Sequence, residues 1–250
     1  ESFNLGLITV KPLFLKPQSV LVVIAHPDDA EFQCGATLAK WAANGTIVHH
    51  LVCTDGSKGT WDPHVDQVAL VATRKAEQKA AARRLNSKGS VIFLDQVDGE
   101  LQSNLAMRSE VAKVIRQIRP QIIIGHDPWR RYRLHPDHRH AGLLAVEAIV
   151  AARDPFFFPE HGLEPHRPDA LLLFEAEEPD HAEDVKGWES AKAAALLEHR
   201  SQFETTHGIQ NPKDPTQIKA LESRIQAELK RSAQPFGLDS AEVFKAIIDI

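Results

Sequence analysis

The sequence predicts an α/β fold in which a mostly parallel sheet carries helices on both faces. Short runs of aliphatic and β-branched residues alternate along the chain with segments of helical periodicity. Most of these runs are continuously apolar, which is typical of parallel strands covered on both faces. The alternation also implies right-handed crossovers, so the strands should join in one sheet.

Five apolar runs are predicted to be strands. In chain order they span residues 19–25, 46–53, 90–94, 121–126 and 170–175. Each run has the length of an ordinary strand and is bounded by polar or turn-forming residues.

The first two predicted helices follow the first two strands. Residues 35–44 form a short helical pattern that ends at Asn44-Gly45, a common signal for a helix C-terminus. Asp66 is a suitable N-cap for the alanine-rich stretch that runs to Leu85.

Later segments predict three further helices and one long loop. Asn104 is placed to cap a helix with one apolar face, and Pro120 ends that pattern. Residues 141–152 are apolar on nearly all sides, which predicts a buried helix, and the proline-rich residues 154–169 predict an ordered loop. The apolar face of a C-terminal amphipathic helix comprises Ile218, Leu221, Ile225 and Leu229.

Length and composition are those of an ordinary globular protein. The 250 residues, 43% hydrophobic and 25% charged, suffice for one α/β domain with a sizeable core. A net charge of −5, with no run of lysine or arginine, argues against a nucleic acid partner. The apolar runs are too short to cross a bilayer, which argues against a membrane partner.

Two features bear on the cellular location. Residues 1–10 lack a basic stretch followed by an apolar stretch, so we see no signal peptide there. Cys34 and Cys53 are too few for a disulfide framework, which favours a reducing, cytoplasmic setting.

Acidic residues and histidines gather directly after the predicted strands. His26, Asp28 and Asp29 follow the first strand, and residues 126–140 after the fourth strand contain several more histidines and acids. The carboxyl ends of parallel strands meet at one edge of a sheet, where ligand sites form. We therefore expect these groups to lie close together.

The residue types at this edge point to a metal-dependent hydrolase. His26 and Asp29 are three residues apart in a tight turn, so both can reach one ion, and the segment 135–138 offers two more histidines. A catalytic zinc ion takes three protein ligands and keeps a water molecule in the fourth position. Asp28 is then available as a base for that water.

Each motif alone also has a simpler interpretation. Asp28 or Asp29 could cap the following helix, and the segment 135–138 could be a helix start with solvated histidines. The two motifs together, each at the end of a strand, favour the metal site. Neither a dinucleotide-binding glycine motif nor a nucleophile-elbow motif is present.

The chain resembles the PIG-L (LmbE-like) zinc-dependent de-N-acetylase family. The stretch "AHPDDAEFQCGATLA" is similar to the first family signature, and "HPDHRHAG" is similar to the second. The family pattern is also followed by "TDGSKG", "TRKAEQKAAARRL", "VIFLDQVDGEL" and "HRSQ". The resemblance implies a Rossmann-like single domain, 1–250, with a core of about 18–205 and a helical extension of about 206–250.

By position, the resemblance also implies roles for individual residues. His26, Asp29 and His138 would bind the metal, normally zinc, and Asp28 would be the general base. His135 would stabilise the oxyanion and protonate the leaving amine, while Asp137 would orient a nearby histidine. Some relatives carry an aromatic hydroxyl two residues before His135, but Arg133 has that position here and Tyr132 precedes it.

The resemblance further places Arg74 and Asp98 at sugar-contacting positions. Two simpler interpretations stay open, because Arg74 and Glu77 could form a surface pair on a helix and Asp98-Gly99 could be only a turn. Phe156–Phe158 and Trp129 could form an apolar wall for a sugar, or ordinary core.

The implied activity is hydrolysis of the acetamide of an N-acetylglucosamine-type sugar or glycoconjugate. The activated water attacks the carbonyl, Asp28 takes its proton, and the oxyanion is stabilised by the metal and His135. Rival functions are a related metal-dependent amidase that acts on a thiol-sugar conjugate, a phosphoesterase, and a metal-bound sugar-binding protein without turnover. The sequence leaves open the particular sugar, the metal identity and whether the chain forms a homo-oligomer.

Overall fold

The computed structural model describes residues 16–250 and contains a seven-stranded sheet. The strands are β1 (Ser19–Ile24), β2 (Ile47–Thr54), β3 (Val91–Gln96), β4 (Ile122–His126), β5 (Ala170–Phe174), β6 (His181–Asp184) and β7 (Ala241–Ile248). Their order is β3-β2-β1-β4-β5-β7-β6, and the first five are mutually parallel. The predicted mostly parallel sheet is confirmed. The expectation for residues 1–10 lies outside the described residues.

Helices cover both faces of the sheet, as predicted. They are α1 (Asp29–Ala43), α2 (Gln67–Arg84), α3 (Leu105–Ile118), α4 (Pro136–Arg153), α5 (Glu189–Leu196) and α6 (Pro215–Ala233). Leu21 and Val23 of β1 pack with α3 and α4 on one face, whereas Val20 and Val22 pack with α1 on the other. Alternate side chains of β1 thus enter two separate cores. Among residues 16–250, none of the helices has both the length and the apolar character that crossing a bilayer requires.

Helix α1 begins earlier than the sequence pattern indicated. We expected a short helix over 35–44, but the observed helix starts at Asp29 and is interrupted at Cys34, whose φ is −141°. The interruption frees the backbone N–H groups of Ala36 and Thr37, which donate to the Glu242 carboxylate at 3.1 and 2.7 Å. An acceptor more than 200 positions away in the chain supports the break, so the local pattern did not reveal it.

The expected helical extension over 206–250 is only partly correct. Helix α6 buries Leu221, Ile225 and Leu229 and leaves Ile218 half-buried. The chain then forms β7, which lies antiparallel between β5 and β6. The strand-forming residues of β7 pair with the edge of β5 that lies opposite β4. Glu242 of β7 also makes a buried ion pair with Lys192 at 2.7 Å. The proposed boundary near residue 205 stays a prediction.

Two predicted helix caps are confirmed, and one of them gives a stability prediction. Asp66 Oδ1 accepts from the N–H groups of Val68 and Ala69, and Asn104 Oδ1 accepts from Met107 N at 3.0 Å. Replacing Asn104 by alanine removes that acceptor and should lower the free energy of unfolding by about 1 kcal/mol.

Urea denaturation of Asn104→Ala and the wild type measures this effect. Asn104→Asp is the matched control, since a carboxylate also caps a helix N-terminus and should keep most of the stability. Equal destabilisation by both substitutions would show that the cap contributes nothing at this position.

Candidate metal centre

The candidate site lies between β1 and β4, where the order of the parallel strands in the sheet reverses. β1 pairs with β2 on one side and with β4 on the other, and the chain leaves the two strand ends in opposite directions. Such a divergence opens a crevice at the carboxyl ends of the strands. His26 lies two residues after β1, His126 is the last residue of β4, and His135 is the N-cap of α4.

The turn from β1 into α1 is held in a strained conformation. Asp28 has a φ of 104°, which is rare for a residue other than glycine. Its backbone N–H donates to Gln78 Oε1 at 2.9 Å, and the preceding carbonyl of Pro27 accepts from Arg74 Nη2 at 2.7 Å. Because Arg74 and Gln78 are one turn apart on α2, a single helix face fixes this peptide.

Side-chain capping does not explain the two acids. Asp28 occupies the N-cap position of α1 but its side chain makes no cap hydrogen bond. Asp29 Oδ2 accepts from the N–H of His26 at 2.8 Å, which points its carboxylate back towards that histidine. His135 also makes no side-chain cap bond to α4. The simpler capping interpretation therefore fails.

His26, Asp29 and His138 present three potential ligand atoms at short separations. His26 Nδ1 is 3.1 Å from His138 Nε2. Asp29 Oδ2 lies 3.5 Å from His26 Nδ1, and the other carboxylate oxygen, Asp29 Oδ1, lies 3.3 Å from His138 Nε2. Ligands bound tetrahedrally at about 2.0–2.1 Å are separated by roughly 3.3 Å. The spacing fits a small divalent ion.

Within residues 16–250, the potential ligands form three overlapping groups, in each of which the ligand atoms lie within 4.8 Å of one another. The groups are His26, His135 and His138; His26, Asp98, His135 and Asp137; and Asp29, His126 and His138. His26 and His138 share the first group and Asp29 and His138 share the third, and none of these groups of described residues contains all three. The structure therefore contains a His/Asp cluster that could bind a metal.

Asp137 and Asp98 face the second nitrogen of His26. His26 Nε2 is 3.1 Å from Asp137 Oδ2 and 3.2 Å from Asp98 Oδ1. Asp137 is fully buried and also accepts from the N–H groups of Gly99 and Leu101 at 2.6 and 3.2 Å. A carboxylate on one nitrogen of a histidine leaves the other nitrogen free to bind a metal and fixes the ring orientation.

His126 was not among the predicted site residues, yet it lies within the cluster. Its Nε2 is 3.3 Å from Asp29 Oδ2, and its Nδ1 is 3.5 Å from Glu175 Oε2. Its ring stacks on that of His138, with centroids 4.4 Å apart. The sequence signal that could have identified His126 is its position at the carboxyl end of the fourth strand. His26 has the equivalent position after the first strand.

Arg133 contacts the cluster, whereas Tyr132 does not. Arg133 Nε donates to His138 Nδ1 at 2.9 Å, and Arg133 Nη1 pairs with Glu175 Oε1 at 2.5 Å. Tyr132 is 90% exposed. A positively charged side chain, and not a tyrosine hydroxyl, thus lies beside the second motif.

The charges of the cluster stabilise one another. Burial alone would lower the pKa of His26, but the carboxylates of Asp137, Asp29 and Asp98 raise it well above its usual value. Burial would raise the pKa of Asp29, yet His138 and His126 hold it well below its usual range.

Asp28 is a buried carboxylate at the edge of the cluster. Burial raises its pKa to about 6, although the positive charge of Arg74 opposes that rise. Arg74 Nη2 lies 3.4 Å from Asp28 Oδ2. Asp28 therefore has a different environment from Asp29, which faces two histidines.

The late motif "HRSQ" contributes a buried support for the same turn. His199 Nε2 is 3.2 Å from Glu31 Oε2, and Gln78 Nε2 donates to Glu31 Oε1 at 2.9 Å. Gln78 in turn holds the backbone N–H of Asp28. A chain of hydrogen bonds thus connects His199 to the strained peptide.

A cavity of about 390 Å³ opens directly over the cluster. Its lining includes the four side chains His26, Asp28, Asp29 and His138 together with Arg74, Asp98 and His135. Arg74 is 3% exposed, so it is not a surface partner of Glu77. Phe156–Phe158 and Trp129, for which an apolar wall was one of two interpretations, do not line this cavity, whereas Trp61 does.

The fold and the cluster define an α/β protein with a candidate divalent metal centre at the carboxyl ends of its parallel strands. The family profile described as "GlcNAc-PI de-N-acetylase" matches residues 21–149, which include both motifs. The chain belongs to this PIG-L family, and the resemblance inferred from the sequence is confirmed.

Named relatives are similar over much of the chain. Diacetylchitobiose deacetylase of Thermococcus kodakarensis is 38% identical over 189 residues, which are 74% of this chain and 70% of that protein. A 1D-myo-inositol 2-acetamido-2-deoxy-alpha-D-glucopyranoside deacetylase of Catenulispora acidiphila is 30% identical over 57% of this chain, but only 51% of its own length is matched.

One solved structure shares nearly the whole fold. N,N'-diacetylchitobiose deacetylase of Pyrococcus horikoshii, in complex with its inhibitor MPG, superposes with a TM-score of 0.84 and 27% identity. The match covers 98% of this chain and 88% of that one.

Proposed function

We propose that this protein is a metal-dependent hydrolase that removes the acetyl group from an N-acetylglucosamine-type sugar or glycoconjugate. The observation that carries the proposal is the triangle of His26, Asp29 and His138 at the floor of a cavity that also contains the unligated acid Asp28. Two relatives named as sugar deacetylases support the same chemistry.

His26, Asp29 and His138 are the proposed ligands, and zinc is the proposed ion. Two imidazoles and one carboxylate are a usual donor set for catalytic zinc. Coordination through His138 Nε2 requires the ring proton at Nδ1, and Arg133 has only donors to offer that atom. We therefore expect Arg133 to pair with Glu175 alone when the ion is bound.

Held by His26, Asp29 and His138, the ion would lower the pKa of a water molecule and would polarise the acetamide carbonyl. Asp28 accepts the proton of the attacking water, because it borders the ligands without being one. His135 donates a hydrogen bond to the carbonyl oxygen as negative charge develops there, and it then protonates the departing amine. Asp137 keeps His26 in the tautomer that frees Nδ1 for the ion.

Arg74 and Asp98 are proposed to contact the sugar hydroxyls. Both line the cavity beside the proposed ligands, and Asp98 Oδ2 already accepts from Lys58 N at 3.1 Å. A buried carboxylate that loses a hydroxyl partner is penalised, so Asp98 would favour substrates with that hydroxyl.

A phosphoesterase and a non-catalytic sugar-binding protein are less well supported. The relatives named as deacetylases favour hydrolysis of an amide over hydrolysis of a phosphate ester. A protein that only binds a sugar has no use for a buried acid beside the ligands. The relatives named as deacetylases do not favour the alternative of an amidase that acts on a thiol-sugar conjugate. A cytoplasmic location and a homo-oligomer stay predictions.

Release of acetate tests the proposed function directly. The purified zinc-loaded protein is incubated with a panel of N-acetylated sugars, with free acetamide and with acetyl-lysine peptides. Acetate is expected only from the sugars. Comparable release from the acetyl-lysine peptides would contradict the sugar assignment, and no release from any compound would contradict the deacetylase assignment.

Asp98→Ala should reduce kcat/KM for an N-acetylglucosamine compound by about 10- to 100-fold, because a hydrogen bond to a charged group is lost. The loss should shrink for an analogue without the contacted hydroxyl, since that contact cannot be lost twice. Steady-state kinetics with a series of deoxy analogues measures both effects.

Glu100→Ala is the control for Asp98, since Glu100 is an exposed acid close by that contacts Lys58 and lies outside the cavity. Metal content is measured on the same samples. Equal losses on every analogue, or loss of the ion, would instead assign Asp98 to the support of His26.

A further inference from the structure

Gln78 is a fully buried glutamine that connects the turn after β1 to the protein interior. Its Oε1 accepts from the backbone N–H of Asp28, and its Nε2 donates to Glu31 Oε1, both at 2.9 Å. The other carboxylate oxygen of Glu31 lies 3.2 Å from His199 Nε2, and both residues are fully buried. Of these four residues only Asp28 lines the cavity, so the other three cannot contact the substrate.

The two neighbours of Gln78 require opposite hydrogen-bonding groups. The backbone N–H of Asp28 needs an acceptor, whereas the Glu31 carboxylate needs a donor. An amide side chain offers one of each, while a carboxylate offers only acceptors and an ammonium group only donors. Because His199 holds Glu31 on its far side, the Gln78 amide is fixed with its oxygen towards Asp28.

The backbone of Asp28 has a conformation that separates its carboxylate from the helix that it begins. An N-cap residue ordinarily has an extended backbone, from which its side chain accepts from the N–H groups of the first turn. Asp28 is the N-cap of α1, but its φ is 104° and its side chain makes no such bond. The carboxylate lines the cavity instead. The positive φ thus decides whether Asp28 caps a helix or faces the substrate.

We propose, building on the deacetylase function above, that Gln78 is a positioning residue that keeps Asp28 available as the general base. The Gln78 amide holds the N–H of Asp28, and Glu31 with His199 keeps that amide in one orientation. Without the amide, Asp28 would return to the extended backbone and its carboxylate would cap α1. The buried amide maintains a strained backbone that the reaction needs.

The kinetics of Gln78→Leu test this role, because leucine fills the site but cannot accept from the N–H of Asp28. Acetate release should show a kcat about 10- to 100-fold below that of the wild type, the effect of misplacing a catalytic group by about 1 Å. KM and metal content should stay near the wild-type values, because Gln78 does not line the cavity. Gln67→Leu is the control, since Gln67 is exposed on the same helix, and it should keep wild-type kcat.

Exchanging the two side chains provides a rescue. Gln78→Glu alone keeps an acceptor for Asp28 but places two carboxylates against each other, so kcat should fall. The double variant Gln78→Glu/Glu31→Gln again pairs one amide with one carboxylate and should recover most of the lost kcat. No recovery, or a wild-type kcat in Gln78→Leu, would overturn the proposal.

Thermal denaturation gives a readout that needs no activity. Glycine tolerates a φ of 104° and alanine does not, so Asp28→Gly should melt about 2–4 °C above Asp28→Ala. Adding Gln78→Leu to both variants should shrink that difference by about half or more, since the peptide is then held only through the Pro27 carbonyl. Equal melting of the two single variants, or a difference that Gln78→Leu leaves unchanged, would overturn the positioning role. A wild type that releases no acetate would overturn the deacetylase function, whatever the melting temperatures give.

Discussion

Replacing His26 or His138 by alanine is expected to abolish stoichiometric metal binding and, with it, acetate release. Each substitution removes one of three protein ligands from the proposed centre, and the remaining two cannot hold a zinc ion tightly. Elemental analysis after dialysis measures the ion, with about one per chain expected for the wild type.

Two control variants make the assignment specific. His140 is close in sequence to His138 but contacts Ser103, so His140→Ala should retain the ion. His135→Ala and His126→Ala distinguish the overlapping ligand groups, and both should also retain it. Wild-type metal content in His26→Ala or His138→Ala would contradict the proposed ligand set.

Asp28→Asn is expected to keep the ion and to lower kcat by about 10²- to 10⁴-fold, the usual contribution of a positioned general base. The amide has nearly the same shape as the carboxylate but cannot accept the proton of the attacking water. Acetate release from an N-acetylated sugar, together with elemental analysis of the same sample, measures both expectations.

Asp127→Asn is the matched control, because Asp127 directly follows β4 at the same sheet edge and does not line the cavity. It should retain wild-type kcat. Thermal denaturation verifies that Asp28→Asn is folded despite the loss of its charge pairing with Arg74. If this variant loses its ion, Asp28 is a ligand or supports one, and if its kcat is unchanged, another group is the base.

The parts of the molecule that the sequence predicted well are those with local signals. The apolar runs predicted β1 to β5 to within a few residues because four of these strands are buried on both faces, whereas the edge strand β3 is half-buried. The caps Asp66 and Asn104 bond to N–H groups two or three residues away, so their function follows from their position. Parallel topology then brought the His26 and His138 motifs together, as expected.

The parts that escaped prediction depend on contacts between distant residues. The interruption of α1 at Cys34 is stabilised by Glu242, and β7 inserts between β5 and β6 although about 60 residues separate it from β6 in the chain. His126 looked like the end of an apolar strand until the fold placed it against Asp29. Trp61 lay in a turn-rich segment with no periodicity to mark it.

The placement of β7 has a consequence for how the chain folds as it leaves the ribosome. Residues 181–184 of β6 emerge well before residues 241–248, yet within the described chain β6 pairs with β7 and not with β5. The Glu242 carboxylate, which accepts from the free backbone N–H groups of α1 near the candidate metal centre, also emerges at this late point. Contacts of such long range form slowly, so the nascent sheet should expose an unpaired β5 edge until synthesis has passed Ile248. Ribosome-bound chains arrested before β7 should therefore be more sensitive to protease and more prone to pair with one another than the released protein.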